Sequence, residues 1–110
     1  MAIPRSAREG PMTVQLDQDG ESLTVRASGE LDIATTDALQ KVLRHAFDGD
    51  AAAIILDVAE LTFIDSMGLR VLLWAAEHED SHRLSVRCGS GAVRRMIDVT
   101  RTGTMLPLIA

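Results

Sequence analysis

Ser66 follows Asp65 directly at the end of an apolar run, and beyond them Leu69, Leu72, Leu73 and Ala76 recur at helical spacing. The pair therefore falls at a helix start. One chemistry that suits it is capping, in which a side-chain oxygen accepts a hydrogen bond from a backbone N–H that the first turn leaves unpaired. The other is a covalent switch: the same N–H groups and the positive end of the helix dipole favour a phosphate, which a serine hydroxyl can carry. Hydrolytic chemistry fits poorly, because no histidine is expected beside Ser66 to act as its base.

The remaining chemistry-bearing residues point away from catalysis. His45, His78 and His82 lack ligand spacing, so no metal site is expected. Gly89-Ser90-Gly91 is too short for a phosphate-cradling loop and lacks its lysine, and no cofactor is expected. Cys88 is the only cysteine, which excludes an intrachain disulfide and fits a reducing compartment. The chain is read as a binding protein and not an enzyme.

A chain of 110 residues with 46% hydrophobic residues can bury one core. Phe47, Phe63 and Trp74 are its aromatics, so aliphatic side chains must fill that core. The net charge of -5 argues against direct nucleic-acid binding, which needs a basic face, and favours a protein partner. Residues 1–11, with Pro4, Gly10 and Pro11, read as a flexible tail before a domain spanning 12–110. They hold no signal-peptide core, and no run approaches the ~20 apolar residues of a membrane span, so a cytoplasmic protein without a membrane partner is expected.

Around Ser66 the elements follow in order. Met12 to Leu16 and Leu23 to Ala27 alternate as strands, and Asp19-Gly20 between them is a hairpin signal. Leu39, Val42, Leu43, Ala46 and Phe47 mark a helix that Thr35, Thr36 and Asp37 open and Gly49 ends. Ala53 to Val58 is nearly all apolar, as in a central strand covered on both faces. A helix from Ser66 to about Glu79 follows, then a strand from Arg83 to Arg87. Ser90 is placed to cap a helix carrying Val93, Met96 and Ile97, which Gly103 closes, and Met105 to Ile109 forms a last strand that Pro107 confines to an edge.

This order predicts an α/β fold: a mixed four- to five-stranded sheet packed with about three helices. Right-handed crossovers make the second, third and fourth strands parallel, so their outgoing loops share one end. Residues 29–32, 59–66 and 88–90 should then meet on a single rim, with Glu30, Asp32, Glu60 and Asp65 around the Ser66 hydroxyl.

Gly29-Glu30-Leu31-Asp32, Asp57 and the run from Phe63 through Asp65-Ser66-Met67-Gly68-Leu69 to Leu73 together resemble the STAS domain, and within it the bacterial anti-sigma factor antagonists. The similarity runs from about Met12 to Leu108. It implies a partner-switching protein that binds an anti-sigma factor, itself a serine kinase of the GHKL type, and so releases a sigma factor. The kinase would phosphorylate Ser66 and a phosphatase would reverse this. Glu30, Asp32, Asp65, Ser66, Met67 and Gly68 would form the partner-binding set, in a monomer or weak dimer. Met67 departs from the many members with a second hydroxyl residue there. The rival keeps the fold and changes the partner, to a STAS regulatory subunit of an ABC transporter or a stressosome-type scaffold.

A phosphoserine carries about -1.5 to -2 charges at neutral pH. Two like charges ~5 Å apart at an effective dielectric of ~20 repel by roughly 3 kcal/mol, which is on the order of a hundredfold in binding. An acidic rim around Ser66 would therefore make phosphorylation a switch that leaves the fold intact.

Overall fold

The computed structural model describes residues 12–109, and the tail expected over residues 1–11 lies outside them. Strands β1 (Thr13–Asp19) and β2 (Ser22–Leu31) form a hairpin, followed by helix α1 (Thr36–Asp48), strand β3 (Ala53–Ile64) and helix α2 (Ser66–Ala76). Strand β4 (Leu84–Arg87), helix α3 (Ala92–Thr100) and strand β5 (Leu108–Ile109) complete the chain. The five strands make one sheet in the order β1-β2-β3-β4-β5. The hairpin is antiparallel and turns at Gly20, whose φ of 61° suits glycine, and every later pair is parallel.

Register explains the core. Val25, Leu56 and Val86 lie side by side across β2, β3 and β4, all fully buried, and Leu39, Leu43, Leu72 and Ile97 from the three helices join the same cluster. The next residue on each strand points to the opposite face. There Arg26, Asp57 and Arg87 lie side by side, with Asp57 Oδ2 at 3.6 Å from a guanidinium nitrogen of each arginine. Ile55 on this face is only half-buried. The expectation of a strand covered on both faces is thus corrected: β3 has one apolar face and one charged face.

β3 also runs six residues beyond the expected Val58. Between Arg26 and Ser28, and again between Gly29 and Glu30, the β2–β3 register shifts by one, each time with an extra residue on β3. The side chain of Asp57 serves the first bulge, where Oδ1 accepts the Ala59 N–H at 3.1 Å. Thr62 is the extra residue at the second, and its hydroxyl donates to Gly29 O at 3.1 Å. Inward positions consequently fall at Val58, Leu61 and Ile64, three apart and not two, which is why the strand's continuation does not show as alternation. β4 pairs only with Ile54 to Asp57, so β2 and β3 project past it as a two-stranded ribbon.

Other boundaries move for local reasons. α2 stops at Ala76, short of Glu79, because His78 turns back to stack on Phe47 (ring centroids 4.0 Å apart) and accepts the Asp80 N–H at Nδ1. Gly91, not Ser90, holds the N-cap position of α3. Arg101, not Gly103, takes the left-handed conformation at its end (φ 58°). Gly103 instead opens a 3-10 turn through Met105, which delays the last strand to Leu108.

Two contacts hold the helices in place. The Arg83 guanidinium donates to Phe47 O (2.6 Å), Ala51 O (2.7 Å) and Gly49 O (3.3 Å), satisfying carbonyls at the end of α1 and the entry to β3. At Gly68, α2 approaches the ribbon so closely that an added Cβ would meet Ile64 Cγ1 at 2.8 Å and Leu31 O at 2.9 Å. Arg83→Met should cost about 2 kcal/mol by leaving half-buried carbonyls without a charged donor, measured by urea unfolding. Gly68→Ala should cost about 1–3 kcal/mol by the same assay, since Leu31 O is backbone and cannot yield cheaply.

Candidate functional site

The ribbon sets the site. Leu31 and Ile64 are register partners at the ends of β2 and β3, so the segments that leave them start side by side, and Asp65 N–H donates to Leu31 O at 3.2 Å. Asp65 is extended (φ -106°, ψ -175°) and forms the N-cap of α2. Its Oδ1 accepts the Gly68 N–H at 2.9 Å, and its Oδ2 accepts the Ile33 N–H at 3.3 Å. One carboxylate thus closes the first turn of α2 and ties it to the β2–α1 turn.

Because Asp65 supplies the cap, Ser66 is spared that work. It is the first residue of α2, it is exposed, and its hydroxyl makes no hydrogen bond among the described residues. Capping and hydroxyl display, which the sequence leaves as alternatives for Ser66, are divided between two neighbouring residues.

Asp32 lies elsewhere than the rim surface. Its residue is 5% exposed, its Oδ1 accepts the Ala34 N–H at 3.0 Å, and its carbonyl accepts from Thr35 N and Thr36 N, both at 2.9 Å. Thr35 completes this turn: its hydroxyl accepts the Asp32 N–H and donates to Glu30 O, each at 2.9 Å. Asp32 therefore builds the turn from inside. What the turn displays is Ile33, 73% exposed at its tip and held against Asp65. Ile33 is not among the residues the sequence marks for the site, because it continues the period-two series of Val25, Ala27 and Leu31 and so reads as one more inward strand position.

The remaining expected residues are dispersed. Glu30 is half-buried and opposite Phe63, and Gly68 is buried in the α2–ribbon contact. Met67 is half-buried and lines a groove of about 250 Å³ between α1 and α2 with Asp37, Gln40, Arg70 and Trp74. Glu60 stands opposite Ser28, back along the ribbon, so it is not a neighbour of Ser66. The 88–90 loop does not reach this end either: Gly89 lies against Ala59, where an added Cβ would come within 2.8 Å. The single acidic rim is corrected to one carboxylate, Asp65, directly beside Ser66.

A second groove, about 320 Å³, runs between the ribbon and α3, lined by Phe63, Ile64, Met96 and Val99, with Phe63 47% and Val99 76% exposed. Among the described residues no group of three or more His, Cys, Asp or Glu is placed to hold a metal ion. No helix among them is long and apolar enough to cross a membrane.

Comparison with known proteins agrees with this architecture. Residues 14–108 match the family described as Mlab, STAS domain. An anti-sigma factor antagonist from Mycobacterium paratuberculosis superposes with a TM-score of 0.81 at 24% identity, over 94% of this chain and 89% of that one. The anti-sigma factor antagonist SpoIIAA in its unphosphorylated form gives 0.66 at 23% identity, over 89% of each chain. The Bacillus cell fate determinant SpoIIAA in its phosphorylated form gives 0.63 at 21% identity, over 89% of this chain and 92% of that one. At these identities the superpositions establish a shared fold, and with a family match over nearly the whole described sheet and all three helices, this chain belongs to the STAS domain family.

Proposed function

We propose that this protein is an anti-sigma factor antagonist whose Ser66 is the phosphorylated switch. The observation that carries the reading is the exposed Ser66 hydroxyl, left without a capping task and set beside the exposed Ile33 by the Asp65 carboxylate. In the unmodified state Ile33 would anchor the partner and Ser66 would lie within the contact, with Met67 and half-buried Glu30 at its margins. Gly68, Asp65 and Asp32 support this face from below. An exposed aliphatic side chain on a fixed turn loses little entropy on binding, which suits it to such an anchor.

The partner would be an anti-sigma factor with GHKL-type serine kinase activity. In the modification step Ser66 Oγ attacks the γ-phosphorus of kinase-bound ATP, the bond to the β-phosphate oxygen breaks, ADP departs, and the hydroxyl proton passes to a base of the kinase. A phosphatase would return the hydroxyl by hydrolysis. The phosphate adds about -1.5 to -2 charges and three acceptor oxygens in the middle of the contact. Desolvating such a group without a matched donor set is costly, so the partner leaves while the core, which Ser66 does not enter, stays folded. SpoIIAA, known in phosphorylated and unphosphorylated forms, supports the reading by its likeness in fold.

The family description names Mlab and not an anti-sigma factor antagonist, so the second reading keeps the face and changes the partner to an ABC transporter ATPase or a stressosome-type scaffold. Pull-down from the native cell separates the two. Wild type and Ser66→Ala should capture a GHKL-type kinase, and Ser66→Asp should bind that kinase at least tenfold more weakly with an unchanged melting temperature. A folded Ser66→Asp protein that binds as tightly as wild type would refute the switch. An intact mass that stays unshifted after incubation with ATP and an active candidate GHKL-type kinase would favour the transporter reading. Ile33→Ala should weaken capture about tenfold, by titration calorimetry, with urea unfolding within ~0.5 kcal/mol of wild type.

A further inference from the structure

We propose that Arg70 is the intramolecular counter-ion for a phosphate on Ser66, so that the chain carries its own clamp for the modified state; this rests on the reading of Ser66 as the acceptor. Ser66 and Arg70 are four residues apart on α2, which places them one above the other on the same helix face, about 5–6 Å between Cβ atoms. Both are exposed. The Arg70 side chain already lies back toward the start of the helix, with Nη1 at 3.9 Å from Met67 Sδ. Thioether sulfur is a weak acceptor, and Arg70 forms no ion pair among the described residues. The guanidinium is therefore aimed into the first turn and held there by little.

A phosphate on Ser66 would offer it what is lacking. The planar fork of donors matches phosphate oxygens two at a time, and an anion four residues N-terminal to a cation is the more favourable order on a helix. The spacing works elsewhere in this molecule even in the reverse order, since Arg94 reaches Asp98 at 4.0 Å on α3. Asp65, the neighbouring carboxylate, has one oxygen engaged by Gly68 N–H and the other by Ile33 N–H, so it stays in place as a like charge. Arg70 is the group positioned to offset it. The pairing gives phosphorylation a double effect on the face: an anion is added, and a cation that an acidic partner could have used is withdrawn.

The test uses the full chain with phosphoserine incorporated at position 66 during translation, followed by 31P NMR titration at low salt. The midpoint of phosphate ionisation should lie about half a pH unit lower with Arg70 than in Arg70→Gln, with Arg70→Lys in between. In 1 M NaCl, where the screening length falls to about 3 Å, the difference should shrink. Equal midpoints in wild type and Arg70→Gln at low salt would overturn the proposal. Unmodified Arg70→Gln should melt as wild type does, so that a loss of shift is not a loss of fold. Since no kinase is involved, the titration judges the pairing alone, and the partner capture judges the reading of Ser66 separately.

Discussion

The two oxygens of the Asp65 carboxylate bind two backbone N–H groups that belong to different parts of the chain. Oδ1 holds Gly68 at the first turn of α2, and Oδ2 holds Ile33 at the tip of the β2–α1 turn. Charge-assisted bonds of this kind are stronger than neutral ones and fix both partners relative to one atom group. Two consequences follow for the face they create. The hydroxyl of Ser66 has no structural duty, and the exposed Ile33 of the neighbouring turn is kept next to it.

That arrangement requires the strand ends to be brought level first. β3 gains two residues on β2 through its bulges, and both strands reach Leu31 and Ile64 together. Asp57 and Thr62 supply the oxygens that accommodate the extra residues, so the Asp57 carboxylate is committed to the sheet. β4 ends far below, leaving room for α3 to pack beside the ribbon. The Ser66 end thus projects from the domain, away from the 88–90 loop, with a groove on either side.

The electrostatics of this end differ from those of an acidic rim. Asp32 is turned inward, Glu60 is on the ribbon, and Asp65 and Arg70 bracket Ser66 with opposite charges. Internal repulsion among carboxylates is therefore a small part of any phosphate effect. What a phosphate would change is the outward character of the face, where a partner must either desolvate it or provide its own cations.

Much of this protein is legible along the chain, because the sequence encodes local geometry directly. The apolar stripe of α1, the Asp19-Gly20 hairpin and the break at Asp65-Ser66 each rest on contacts within a few residues, and their positions held. So did the parallel pairing, since short crossovers leave little choice of topology. The ribbon was illegible because bulges reset the alternation at Val58 and Leu61, and only pairing with β2 shows that the strand continues. The placing of Ile33 against Asp65, and so beside Ser66, likewise depends on atoms 32 residues apart in sequence meeting in space. Residue types and spacing selected the chemistry at Ser66; tertiary packing decided which neighbours that chemistry would have, because a hydrogen bond between distant segments leaves no period in the sequence.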